Sequence, residues 1–202
     1  MVKRGKYELK RRAERREETR ARIARATLEL HETVGPSLTT ISAIAERAGV
    51  GRPTVYSHFP DEISLFQACS SLDLSENPLP DPGPWAEISD PEERLRSALI
   101  ELYAYFRRRE GLWTNILRDE EMPRMKDNPD AREVMEPFFA HWGRMQRTLA
   151  ADWKARDAQP LLAAIGLALD FQTWRTLARR QGLDDGVAIR LMVCTVRCAA
   201  HR

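Results

Sequence analysis

ISAIAERAGVGRPTVYSHF, residues Ile41 to Phe59, sets Ala45 four positions before Gly49 and Val55 six positions after it. A helix-turn-helix needs that spacing. Its two helices cross closely, so the first must present a small residue to its partner, as Ala45 is. The turn needs a residue that tolerates positive φ, and Gly49 does so without a steric penalty. Ile44, Ala48, Val50 and Val55 then fill the space between the helices. On the second helix Val55 and Phe59 stand four apart and turn inward. Arg52, Pro53, Thr54, Tyr56, Ser57 and His58 are left facing outward. Taken alone, the spacing also fits an ordinary helical hairpin with a surface arginine and a packed tyrosine.

A helix with that outward face fits the major groove of DNA, about 12 Å wide, and its first residues are best placed to touch base edges. Arg52 has the fork that pairs with guanine. The Thr54 methyl or hydroxyl can meet thymine or a phosphate, and Tyr56 and His58 have the reach for phosphate oxygens.

Working outward, Ile23, Ala24, Thr27, Leu28 and His31 recur at helical spacing before the segment, and Gly35-Pro36 ends that helix. Thr39 and Thr40 offer N-caps for the helix at Ile41. Pro60-Asp61 stops the one ending at Phe59, and Asp61 can cap a fourth that carries Leu65, Phe66 and Cys69 inward. Upstream, residues 1–16 are polar and strongly basic and read as a flexible arm. Lys3, Arg4, Lys6, Lys10, Arg11, Arg12, Arg15 and Arg16 could follow a DNA backbone or enter a minor groove; a solvated tail is the plainer alternative. Downstream, Pro78, Pro80, Pro82, Pro84 and Pro91, with Gly83 among them, mark a linker at 73–90. The expected organisation is therefore an arm at 1–16, a head at 17–72, the linker, and a helical body at 91–202. Helices are expected in that body near 91–109, 112–120, 131–156, 160–181 and 185–200.

The charge is distributed in the same sense. Residues 1–59 hold 13 Lys/Arg against 7 Asp/Glu, a net of +6, while the whole chain of 202 residues carries only +2, so the remainder is at −4. Such asymmetry suggests an N-terminal polyanion-binding unit on a charge-balanced body. With 43% hydrophobic residues the chain can bury a core. Three cysteines point to a reducing cytoplasm rather than a disulfide scaffold. No apolar run reaches the length of about 18 to 20 residues that spans a bilayer, and the charged start lacks the apolar stretch of a secretory signal.

Thr40, Ile44-Ala45, Ala48-Gly49-Val50, Thr54, Tyr56, His58-Phe59 and Leu65 together resemble the DNA-binding domain of TetR-type (TetR/AcrR-like) transcriptional regulators, over about residues 18–70. The resemblance implies an all-α homodimer with a three-helix head and a larger C-terminal domain for ligand binding and dimerisation. It also implies control of transcription, most often repression relieved by a small molecule. Pro53 stands where the family usually has a small residue, and Glu62 where it usually has a lysine that meets a phosphate. The residues expected to touch operator DNA are Thr40, Arg52, Pro53, Thr54, Tyr56, Ser57 and His58, with Lys10, Arg11 and Arg12 from the arm.

In the body Tyr103, Phe106, Trp113, Phe138, Trp142, Phe171 and Trp174 recur at helical spacing, with Phe139 beside them. They are expected to line a pocket for a hydrophobic effector, although such rings also make ordinary cores. Leu161, Leu162, Ile165, Leu169 and Trp174 on one helix, and Ile189, Met192, Val193, Val196 and Ala200 on the last, read as faces for an intermolecular four-helix bundle. Burial within one subunit is the alternative. Cys194, Cys198 and His201 share a face, but two thiols four apart on an apolar helix usually pack, and no metal, cofactor or catalytic residue is expected. No Gly-rich phosphate loop, HExxH, GxSxG or CxxC pair occurs, which speaks against an enzyme. The reading is a cytoplasmic repressor whose partners are a palindromic DNA operator, a small effector and a second copy of itself, away from membranes. A small helical-bundle enzyme and a nonspecific architectural DNA-binding protein are the rivals.

Overall fold

The computed structural model describes residues 2–120 and 129–201, and every regular element among them is helical. Met1 of the expected arm, and residues 121–128 and 202 of the expected body, lie outside the described residues. The chain divides into two compact units, Met1–Pro78 with Thr114–Val134, and Leu79–Trp113 with Met135–Arg202. Segment 114–134, expected in the body, therefore groups with the head.

In the first unit, α1 (Val2–Thr33) precedes α2 (Ile41–Ala48), α3 (Arg52–His58) and α4 (Glu62–Glu76). The stretch expected as a flexible arm is helical from Val2. Beyond Gly5 that stretch is built almost wholly from strong helix formers without proline, and Lys10 pairs with Glu14 at 3.8 Å across one turn. Ile23, Ala26 and Leu30 of α1 pack on Ile44, Ala45 and Ala48 of α2, on Val55 and Phe59, and on Leu65 of α4. Each large aliphatic so buried is worth about 1.5–3 kcal/mol. Asn115 donates to the carbonyls of His31 (3.1 Å) and Glu32 (2.9 Å), and Arg118 to that of Val34 (2.8 Å). These bonds satisfy the carbonyls that the end of α1 leaves open.

The second unit holds α5 (Pro82–Ala86), α6 (Pro91–Arg108), the first residues of α7 (Glu110–Glu120), most of α8 (Pro129–Ala150), α9 (Ala158–Leu169), α10 (Phe171–Arg175) and α11 (Asp185–Ala200). The expected linker thus begins later than residue 73, since α4 runs to Glu76, and it contains a helical turn. Prolines are tolerated there because the first N–H groups of a helix have no internal partner, and Asp81 caps the turn through Gly83 N. Trp85 within it is buried, and its Nε1 donates to Glu101 at 3.1 Å. The helix expected over 160–181 is broken at Asp170, whose extended backbone and carboxylate start a new helix at Phe171.

The helix expected over 131–156 ends at Ala150, where the buried Arg94 gathers the chain. It donates to the carbonyls of Ile88, Thr148 and Ala151 and pairs with Asp152 at 2.7 Å.

The dimer faces read from sequence also need correction. Leu161, Ile165, Leu169, Trp174, Ile189, Met192, Val193, Val196 and Ala200 are buried within the chain itself, because α11 packs on both α6 and α9. Of that set Leu162 remains exposed. No helix among the described residues is long and apolar enough to cross a membrane.

Candidate functional site

The turn between α2 and α3 is built as its residues require. Thr40 Oγ1 accepts from Ala43 N at 3.1 Å and caps α2. Gly49 closes it in the left-handed region at φ 65°, and Val50 N returns to the carbonyl of Ala45 at 2.9 Å. Ala45 is buried at the crossing, as the spacing demands. On α3, Val55 is fully buried and Phe59, just past its end, nearly so. Arg52, Pro53, Tyr56 and Ser57 are exposed, and Thr54 and His58 are half-buried. The six outward residues are thus brought together on one short helix, with Thr40 exposed at the start of α2.

The hydroxyl of Ser57 donates to the carbonyl of Thr54 at 2.8 Å, so it has acceptor capacity left for a partner. Burial, with the charges of Arg16 and Arg20, holds His58 below its ordinary value. A neutral imidazole there still offers one N–H. Lys10, Arg11 and Arg12 are exposed on α1, with Arg11 5.9 Å from the Tyr7 ring. Glu62, in the first turn of α4, is exposed too.

One contributor has no sequence signal: Arg20 of α1, whose Nη1 donates to the carbonyl of His58 at 2.7 Å. Two ion pairs, Arg25 with Glu76 and Arg47 with Glu29, join α1 to α4 and α2. They link residues far apart in the chain, so no local pattern marks them. Cys69 is buried 3.7 Å from His31 Nδ1, and burial pushes its thiol up to about 12, which leaves it inert.

In the second unit all seven rings named from sequence form one connected cluster. Phe106 lies centrally, 5.3 Å from Phe171, 5.8 Å from Trp113, 5.9 Å from Trp174, 6.2 Å from Trp142 and 6.3 Å from Tyr103. Phe138 joins through Trp113 and Trp142. Tyr103, Phe106, Trp113, Phe171 and Trp174 are buried, and Phe138 and Trp142 half-buried. The rings touch one another, so the cluster is a packed core as it stands. Trp174 is bracketed by Arg107 and Arg179, which pair with Asp185 and Glu110. Burial works against the Asp185 carboxylate, but bonds from Arg107 and the Trp174 indole outweigh it and hold the group below its usual range.

These features define a helix-turn-helix head joined to an all-helical body. Residues 23–69 match the model of the bacterial regulatory proteins of the tetR family. Fifty-two residues are 46% identical to the HTH-type transcriptional regulator SrpR of Pseudomonas putida, a match over 26% of this chain. That match spans about a quarter (24%) of the length of this curated relative. Among solved structures, NalD of Pseudomonas aeruginosa, the secondary repressor of the MexAB-OprM multidrug efflux pump, is similar over 92% of this chain and 97% of its own, with a TM-score of 0.61 at 25% identity. The TetR family regulator PfmR of Thermus thermophilus matches over 87% and 94%, with a TM-score of 0.61 at 19% identity. Residues 23–69 are thus similar to the DNA-binding head of the tetR family of bacterial regulatory proteins, and the chain shares its all-α fold with solved regulators.

Proposed function

We propose that this chain is a cytoplasmic transcriptional repressor that grips a near-palindromic operator as a homodimer and lets go when a small hydrophobic effector enters its body. The observation that carries the DNA-binding part is the face of α3. Arg52, Pro53, Tyr56 and Ser57 stand exposed on a short helix whose other side is fixed by Val55. In the major groove Arg52 reads guanine and Thr54 thymine or a phosphate, while Thr40, Tyr56, Ser57 and His58 hold the backbone. The basic start of α1, including Lys10, Arg11 and Arg12, adds phosphate contacts that offset the one lost at Glu62.

The second copy docks on α9 and α11, by the face that the chain leaves open. Leu162 and Leu167 of α9 and Leu191 of α11 are 38%, 49% and 44% exposed, with Ala163, Cys194 and Cys198 beside them. Twofold pairing there sets two α3 helices about 34 to 36 Å apart, one turn of DNA. The effector enters the cluster of Tyr103, Phe106, Trp113, Phe138, Trp142, Phe171 and Trp174 by displacing rings. It shifts the dimer away from the DNA-competent arrangement only by its differential affinity for the two. That NalD is the secondary repressor of an efflux pump supports repression as the output.

The test is binding to the chain's own upstream DNA, measured against scrambled DNA of equal length, with and without added hydrophobic compounds. Preference for the upstream sequence, abolished by one of those compounds, is the expected result. Equal affinity for both DNAs would replace this reading with the architectural one.

A further inference from the structure

Three indoles of this chain reach oxygen. Trp85 donates to Glu101 at 3.1 Å, Trp153 to the carbonyl of Leu149 at 2.9 Å, and Trp174 to Asp185 at 3.2 Å. Trp113 is different. It is 9% exposed, its Nε1 is buried, and that nitrogen has no hydrogen-bond partner among the described residues. A buried donor left unpaired is destabilising, so such atoms call for an explanation.

The surroundings of Trp113 restrict what can pair with it. Its ring meets Phe106 and Trp142 edge-on, at 77° and 90°, and lies nearly parallel to Phe171 at 5.9 Å. Phe138 is 5.7 Å away. A ring face is a weak acceptor, so a stronger one arriving in the cluster has an advantage. The neighbouring guanidiniums of Arg107 and Arg179 are already matched by Asp185 and Glu110. An entering molecule therefore finds flat aromatic walls, one open N–H, and cations already neutralised.

The cluster is only partly covered on α8. Phe138 and Trp142 are half-buried there and Phe139 is 53% exposed. Pro137 stands inside that helix, immediately before them. It has no N–H to give to the preceding turn, so α8 lacks one backbone bond just ahead of Phe138.

We infer that the Trp113 indole N–H is the polar anchor of the effector site, and that the effector is a neutral planar aromatic carrying a hydrogen-bond acceptor in or on its ring. This rests on the effector reading of the aromatic cluster given above. The acceptor takes the N–H, and the arene replaces ring–ring contacts that Phe138 and Trp142 give up on moving aside.

Quinoline and naphthalene make a matched pair of probes, alike in shape, with a ring nitrogen acceptor only in the first. Calorimetric titration at mildly alkaline pH compares the full-length wild type with Trp113→Phe, and with Trp153→Phe as a control. Trp113→Phe weakens quinoline about fivefold or more and leaves naphthalene within about twofold, whereas Trp153→Phe changes neither. In the wild type, quinoline also moves one of the five indole N–H resonances downfield, and naphthalene does not; this readout needs no variant to fold. Saturable binding of both probes with no selective loss in Trp113→Phe, or no such resonance shift, overturns the anchor and leaves the effector site standing. Binding of neither probe overturns both. Operator affinity measured alongside reports the DNA-binding reading separately.

Discussion

Arg20 on α1 donates from Nη1 to the carbonyl of His58, and its guanidinium lies 4.2 Å from the centre of the Phe59 ring. A cation at the C-terminal end of α3 meets carbonyls that the helix itself leaves open. It also spans 38 residues of sequence, so it fixes the tilt of α3 against α1. Arg20→Ala is expected to lower stability by about 1–2 kcal/mol. Operator affinity should fall while base preference is kept. Chemical unfolding and binding to single-base operator variants give the two readouts, and a changed base preference would make Arg20 a reader rather than a positioning residue.

Arg52 has the opposite signature. Arg52→Ala should cost about 1–3 kcal/mol of specific affinity and relax the preference at one position of each half-site. Unaltered discrimination across a set of operator variants would remove it from direct readout.

Lys10, Arg11 and Arg12 lie exposed on α1. Replacing Lys10, Arg11 and Arg12 by glutamine should leave the melting temperature nearly unchanged and flatten the salt dependence of DNA binding. Each lost phosphate contact reduces the slope by about 0.9. An unchanged slope means that this stretch stays clear of the backbone.

His58 supplies a pH signature. Its folded value lies below the unfolded one, near 6.5, because of burial and of the Arg16 and Arg20 charges, against a smaller opposing effect of Glu17. The unfolded chain then binds the proton first. Stability is complete above 6.5 and declines as pH falls from there to the folded value, below which it levels off. Melting curves of wild type and His58→Gln across that interval should converge at acidic pH. Parallel curves would contradict the assignment.

Arg94 is 3% exposed and serves three carbonyls and a carboxylate. Arg94→Met keeps much of its bulk but strands those acceptors, so a loss of about 2–4 kcal/mol is expected from denaturant unfolding. The proposed ligand and DNA contacts lie elsewhere and should survive below the unfolding transition.

The head was legible because its signals are local. Ala45, Gly49 and Val55 act within ten residues of one another, and the caps Thr40 and Asp61 serve the helices that follow them. At the start of α1 the charge density suggests a tail, while the helix propensity of its Lys, Arg, Glu and Ala residues accords with the helix seen there. The seven aromatic positions were legible as an inward set. What remained hidden was that their rings touch one another, and that Trp113 alone among them has a buried donor with no described partner.

By itself the sequence determined where the short helices α2 and α3 start and stop, which side of each is apolar, and which six side chains of α3 look outward, since all these follow from spacing and backbone chemistry within a few turns. Only the tertiary structure decided what covers each apolar side. The stripes on α9 and α11 are the same whether a second copy or the chain's own α6 lies against them, and packing chose α6. Apolar burial has no direction and no memory of chain identity, so a hydrophobic stripe specifies that it must be covered and leaves the partner to be settled by the fold.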